Sequence, residues 1–307
     1  MQSAINVFKQ GSKLIVSAPS NIALIKYMGL AQPEQKIPAN ASLSYTLSHL
    51  RTVVTVESAA IEQIKVPIGH TRFVNFVNIL KENFGVTENL AIESNNNFPA
   101  ACGIASSAAS FAAITAAIAS YAQQPLNSQV IAFSRFGSGS ACRSFYQGFV
   151  KWEQKDITPI ELPYAELAHA VLLLDKTPKK ISSSTAHKLV QSSPLYKARL
   201  KNVNHRLPAL VTAISNKDWA LSGEIITEEY LEMHALFTSA KPSFNYRSEL
   251  CIKIESFCQS YKNIFGHKPW ITLDAGPNIH LLFANKDDKS NFFNEFQQEF
   301  PNIEVFA

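Results

Sequence analysis

Four short segments of this 307-residue sequence gather side chains that could do chemistry. In 99-PAACGIASSAA-109, Pro99 and Gly103 allow a tight turn, and the small residues let a ligand approach the backbone. If a helix begins there, its free N–H groups and positive dipole end, joined by the hydroxyls of Ser106 and Ser107, suit a chain of phosphates. The same residues also describe an ordinary capped, Ala-rich core helix, and no GK[ST] follows, so this is not a Walker loop. In 137-GSGSACRS-144, two glycines and three serines make a polar turn from which Arg143 can grip a carboxylate or phosphate bidentately. The alternative there is a surface turn with a solvated arginine. In 274-DAGPN-278, Asp274 ends an apolar run and falls at a sheet rim, where a cleft would perturb it. Taken alone, that segment is better explained as a β-turn in which Asp and Gly do turn chemistry. In 19-PSNIALIKYMG-29, Lys26 and Tyr27 interrupt an apolar stretch; the lysine either snorkels to solvent or points a charge into a site.

Ordered elements must hold these segments. Residues 13–18, 42–48 and 51–58 read as strands, the last dominated by β-branched residues. Phe73, Phe76, Val77 and Leu80 follow helical spacing over 71–84. A strand over 89–94 leads into the serine-rich segment and its Ala-rich helix. Asn127 or Ser128 caps a further helix that ends near Gly137 and Gly139. Strands follow at 147–153 and 170–175. The later chain is mostly helical, near 183–190, 195–215, 217–236 and 244–264, before strands at 270–274 and 279–284, a terminal helix and a last strand IEVF. The pattern is α+β, with two lobes over 1–170 and 171–307 that meet at an approximate boundary and exchange strands or helices.

Composition narrows the classes. With 46% hydrophobic and 17% charged residues, the chain is an ordinary soluble globular protein. A net charge of +4 without any Lys/Arg block argues against nucleic acid and is compatible with an anionic small-molecule substrate. The four cysteines show no CxxC pair and no zinc-ligand spacing, which fits reduced thiols in a cytoplasmic protein. No secretory signal is evident at the N-terminus. Residues 103–122 carry no charge, but they are mostly Ala and Ser, so a buried helix is expected rather than a membrane span.

Taken together and in order, the segments are far more specific than any one of them. NIALIKYMG, IPANASLSYTLS, NNFPAACGIASSAA, GSGSACRS, 179-KKISSST-185 and DAGPN resemble the diphosphomevalonate decarboxylase family of the GHMP kinase superfamily, over nearly the whole chain. The resemblance implies a GHMP kinase-like two-lobed fold, with an N-terminal mixed sheet and helices and a helix-rich, ferredoxin-like C-terminal lobe. It implies ATP and Mg²⁺ as cosubstrates, a homodimer, and decarboxylation of mevalonate 5-diphosphate to isopentenyl diphosphate after phosphorylation of its 3-hydroxyl. Carried over by position, Pro99, Gly103, Ala105, Ser106 and Ser107 hold the ATP phosphates. Asp274 is placed against the tertiary hydroxyl as base or orienting group, and Arg143 binds the substrate carboxylate. Lys26, Tyr27, Gly29, Ser138, Gly139 and Ser140 line the substrate site, and Thr185 belongs to a mobile loop beside it. Metal ligands are left unassigned.

The family usually reads KYWGK where this chain has 26-KYMGL-30. Met28 therefore replaces a tryptophan, and Leu30 a lysine expected to touch the substrate's diphosphate. His70 aligns with an arginine of the same task. At roughly 1.5–3 kcal/mol per charged contact, two missing cations are costly unless Lys36 or Arg72, close in sequence, compensates. The chemical end, Asp274 and Arg143, is intact. The alternative is a decarboxylase or 3-kinase acting on mevalonate or a mevalonate monophosphate.

Overall fold

A computed structural model describes residues 3–66, 70–98, 106–164, 166–177, 179–261 and 267–306. In chain order the elements are β1 (Asn6–Gln10), β2 (Lys13–Ile25), β3 (Leu30–Gln32), β4 (Ile37–Pro38), β5 (Ser42–Ser58), β6 (Gln63–Lys65), α1 (His70–Phe84), β7 (Leu90–Asn96), α2 (Ser106–Tyr121) and α3 (Ser128–Gly137). A 3-10 turn, Gly139–Phe145, leads to β8 (Phe149–Glu153), β9 (Asp156–Ile160) and β10 (Ala168–Leu173). There follow α4 (Ser183–Leu189), α5 (Tyr196–Ser215), α6 (Trp219–Ser239), α7 (Glu249–Ser260), β11 (Trp270–Thr272), β12 (Ile279–Phe283), α8 (Lys286–Glu299) and β13 (Glu304–Phe306). Two compact units result: Met1–Ile22, Gln32–Ile37 and Tyr45–Pro159 form the first; Ala23–Ala31, Pro38–Ser44 and Ile160–Ala307 form the second.

The first unit is a seven-stranded sheet in the order β1-β2-β5-β7-β6, with β8 on β5 and β9 on β8. β7 is antiparallel to β5, whereas β6 runs parallel to β7. Within β5, Val54 and Val56 are buried while Val53 is exposed, the period of two that a half-covered sheet imposes. α2 is buried on every side from Ala108 to Ala119, which is how an uncharged run of Ala and Ser is used here. Among the described residues, no helix is long and apolar enough to cross a membrane. Phe111 of α2 stacks on Phe73 of α1 at 4.4 Å and meets Phe76 edge-on at 5.0 Å. α3 begins at the expected cap: the Asn127 side chain accepts the Val130 N–H at 3.0 Å. It ends at Gly137, where a Cβ would lie 2.1 Å from the Phe111 ring. Only a residue without a side chain lets α3 come this close.

Two strands are longer than their residues suggest. β2 runs on to Ile25 rather than stopping at residue 18, because Ser20 and Asn21 are buried polar residues inside it, not the start of a loop. β5 is a single strand where two were expected; Ser48 and His49 are both exposed and break the alternation without breaking the strand.

The second unit is a four-stranded sheet, β11-β12-β10-β13, with antiparallel pairing throughout. Leu172, Ile279, Leu281 and Phe283 from its strands share one core with Phe292 and Phe296 of α8 and Ile254 of α7, and partly buried Phe257 packs against it. Full burial of each such side chain contributes about 1.5–3 kcal/mol, so this cluster anchors the unit. Side-chain caps begin four of its helices, Ser182 for α4, Asp218 for α6, Ser248 for α7 and Asn285 for α8, whereas Leu195 before α5 makes no such cap. The whole is the expected α+β class: strands at both ends of the chain, and a run of helices in between.

Candidate active site

In the second unit, Lys26 is the residue just past β2. Glu229 of α6 accepts its N–H at 2.9 Å; its carbonyl accepts from Asn40 Nδ2 at 2.9 Å and from Arg199 Nη2 at 3.1 Å. The lysine does not snorkel. Its side chain is 3% exposed and sets Nζ 2.6 Å from Oδ1 of Asp274. An ammonium so placed favours the ionised carboxylate.

Asp274 follows β11, and its backbone does make a turn. The Gly276 N–H donates to the Asp274 carbonyl at 2.8 Å. Buried Asn278 pins the far side, its Oδ1 accepting the N–H groups of Leu174 and Asp175 at 2.8 and 3.1 Å. Turn chemistry and charge therefore coexist: Gly276 and Asn278 shape the turn, and the carboxylate meets Lys26. His234 Nε2 lies 3.2 Å from the Asp274 carbonyl, an acceptor, so that nitrogen carries the ring proton. Burial first, then the charges of Arg247 and Lys26, push the His234 pKa down to about 3, so the ring is neutral. Lys179 Nζ donates to the Ala275 carbonyl at 2.5 Å; burial lowers its pKa and Asp274 works in the opposite sense.

The residues after Lys26 are equally constrained. Tyr27 stacks on His187 of α4 at 4.7 Å, and His187 Nδ1 accepts the Gly29 N–H at 3.0 Å. Gly29 has φ +89°, and a Cβ there would lie 2.0 Å from the Tyr196 hydroxyl, so both backbone and space require glycine. Met28, in the tryptophan's place, packs with Met233, Phe237 and Ala275. Leu30 is half-buried at the start of β3. Thr185 is exposed in the first turn of α4, its N–H accepted by Ser182 Oγ at 3.1 Å, so it sits on a capped helix and not in a loop.

In the first unit, Arg143 is 2% exposed, which removes the solvated-arginine alternative. Its Nε donates to Asn21 Oδ1 at 3.3 Å, and its guanidinium carbon lies 5.8 Å from the centre of the Trp152 ring. Asn21 in turn donates to Ser144 Oγ at 2.8 Å and to the Ser140 carbonyl at 3.2 Å, tying the arginine to its own turn. The hydroxyls of Ser107, Ser138 and Ser140 form a chain, 3.4 and 3.3 Å apart, beside the first turn of α2. Ser106, the first residue of that helix, and Gly139 are half-buried nearby in sequence. Pro99, Gly103 and Ala105 lie outside the described residues, as does Cys102. Burial raises the Cys142 thiol to about 11, so it is packing and not a nucleophile. His70 is exposed at the start of α1. Arg72 donates to the Gly137 carbonyl and lies 4.8 Å above the Phe111 ring, so one cation offered as compensation is engaged within its own unit. Among the described residues, no group of three or more His, Cys, Asp or Glu side chains could hold a metal ion.

Sequence reasoning missed the residues that hold the chemical groups still. Asn21 and Asn40 stand inside segments that were singled out, but nothing marks an asparagine as a brace. Arg199 and Glu229 look like the solvated face of two helices, and Glu229 reaches a backbone 203 residues away. No spacing rule spans that distance.

Comparison with known proteins gives a consistent result. Residues 18–158 match the Diphosphomevalonate decarboxylase-like N-terminal domain, and residues 170–306 match the Mevalonate 5-diphosphate decarboxylase C-terminal domain. The diphosphomevalonate decarboxylase of Saccharomyces cerevisiae is 31% identical over 313 residues, spanning 90% of this chain and 79% of the yeast protein. A mevalonate diphosphate decarboxylase from Legionella pneumophila, solved as a crystal structure, is 36% identical with a TM-score of 0.86, over 96% of this chain and all of its own. A structure of MDDEF in complex with MVAPP, AMPPCP and magnesium is 29% identical with a TM-score of 0.85, over 96% of this chain and 99% of its own.

Proposed function

Because the chain belongs to the diphosphomevalonate decarboxylase family, we propose that it converts mevalonate 5-diphosphate and ATP to isopentenyl diphosphate, ADP, phosphate and CO2. The observation that carries the chemistry is the buried Lys26 ammonium 2.6 Å from Asp274. Asp274, its carboxylate facing the Lys26 ammonium, takes or orients the proton of the tertiary 3-hydroxyl while the hydroxyl oxygen attacks the γ-phosphorus of ATP and the bond from that phosphorus to the ADP oxygen breaks. The C3–O bond of the phosphorylated alcohol then breaks, phosphate leaves with that electron pair, and positive charge grows at C3. The bond from the neighbouring methylene to the carboxylate supplies the electrons for the alkene, and CO2 departs. Arg143, held by Asn21, fixes the carboxylate until that bond breaks.

Phosphoryl transfer needs positioning and charge stabilisation rather than covalent catalysis. The Ser107, Ser138 and Ser140 hydroxyls and the start of α2 are donors of the kind phosphate oxygens accept. Mg²⁺, when bound, would neutralise charge on the phosphates. It is commonly held by one or two carboxylates, phosphate oxygens and water, so it does not need a cluster of protein ligands. The relative in complex with MVAPP, AMPPCP and magnesium supports this choice of substrates. The family resemblance further supports a cytoplasmic homodimer.

A second substrate reading rests on Leu30, His70 and the engagement of Arg72. Purified protein with ATP and Mg²⁺ is offered mevalonate, its 5-phosphate and its 5-diphosphate, and CO2 and ADP are measured. CO2 is expected with the diphosphate only. CO2 confined to the shorter substrates moves the assignment to them, and ADP without CO2 from any of them overturns the decarboxylase reading.

A further inference from the structure

Both peptide groups of Lys26 are gripped by one ion pair that has no direct part in the chemistry above. Glu229 Oε1 accepts the Lys26 N–H, and Arg199 Nη2 donates to the Lys26 carbonyl. The pair is 0% exposed on both sides. Two more of its atoms are paired: Arg206 Nη1 reaches Glu229 Oε2 at 2.7 Å, and Arg199 Nη1 reaches Glu232 Oε2 at 3.0 Å, while buried Arg199 Nε has no hydrogen-bond partner among the described residues.

We propose that Arg199 and Glu229 are positioning residues for the reaction, clamping the Lys26 backbone so that its ammonium stays on Asp274. Holding the groups on either side of one Cα fixes the direction of its Cβ, and a long flexible side chain then starts from a defined point. A buried ion pair is a poor device for stability alone, since well-packed apolar residues of the same size often serve as well. Apolar residues have no donor or acceptor for a backbone, however, and this pair spends one of each on Lys26. Lys26 lies far from both partners in sequence, so the clamp also registers the early segment against α5 and α6. The inference rests on the proposed function for its kinetic consequence only.

The test compares wild type, Glu229→Gln and the paired variant Arg199→Met/Glu229→Met. Removing both charges together leaves no uncompensated buried ion, because Arg206 and Glu232 still neutralise each other. Lys179, the other cation acting on Asp274, and His234 with its neighbour Arg247 are untouched. The paired variant is expected to lose roughly 10–100-fold in kcat, the penalty of a small misplacement. Its KM values for ATP and mevalonate diphosphate stay within about threefold. The acid limb of kcat and the ¹³C titration of the Asp274 carboxyl both move up by about one pH unit, because a displaced ammonium stabilises the carboxylate less. Glu229→Gln keeps an acceptor for the Lys26 N–H and recovers most of the rate. A variant that only melts earlier, with unchanged kcat per folded molecule and an unmoved Asp274 titration, overturns the proposal. If the paired variant does not fold, Arg199→Met alone, which removes the donor to the Lys26 carbonyl and leaves Glu229 paired with Arg206, carries the same titration test. If wild type releases no CO2, the proposed function fails, yet the Asp274 titration still decides the clamp.

Discussion

Lys26 is an ammonium removed almost wholly from water, with the Asp274 carboxylate 2.6 Å from its Nζ. Lys26→Met keeps the length of the side chain and removes the charge. The expected outcome is a fall in kcat of roughly 10²-fold or more, the usual scale for losing a proton-transfer contribution, with ATP affinity little changed. Steady-state rates beside a nucleotide-binding titration check this; a rate within threefold of wild type would remove the ammonium from the mechanism. At this scale the sequence was legible where the residue type itself was unusual for its setting. A lysine in an apolar stretch, an arginine among glycines and serines, and an aspartate closing an apolar strand all stood out. What the residues did not reveal was which alternative held, because burial decides it. Arg143 and Lys26 are 2% exposed, and only folding puts them there. Thr185 went the other way: it is exposed on α4, the helix its residue pattern predicts, rather than in the loop that the resemblance implies.

At the scale of elements, the position of the serine hydroxyl chain depends on how closely α3 approaches α2. Gly137 permits that approach, and Phe111 fills the space its side chain would need. Gly137→Ala is therefore expected to destabilise the protein by about 1–3 kcal/mol, the range for overpacking. Denaturant unfolding measures that loss. Because Ser138 follows directly, the KM for mevalonate diphosphate should rise at the same time. Helix α1 was readable because Phe73, Phe76, Val77 and Leu80 repeat at helical spacing, and α3 because Asn127 caps it. The full extent of β2 was not readable. Its buried Ser20 and Asn21 take partners that the sequence does not show, and polar residues then pass for a loop.

At the scale of the whole molecule, a neutral buried histidine makes stability depend on pH. The His234 pKa is lowered from 6.5 to about 3, by burial first and then by Arg247 and Lys26. Below pH 6.5 the unfolded chain takes up a proton that the folded chain refuses until about pH 3, so stability falls as pH falls through that window. The contribution is fully present above pH 6.5, and the slope approaches ~1.4 kcal/mol per pH unit for this one group. Unfolding midpoints between pH 4 and 7.5 should show the slope, and His234→Asn should flatten it; an unchanged slope assigns the effect elsewhere. The second unit also has a history in time. It takes residues 23–31 and 38–44 from early in the chain and the rest from residue 160 onward. A ribosome releases Lys26 long before it makes Arg199, Glu229 or Asp274, so the early segment must wait, unpaired, for most of translation. A cut near residue 160 would leave a C-terminal fragment holding the aspartate and the clamp but lacking the lysine they serve. Neither half of the gene, translated alone, encodes a complete second unit.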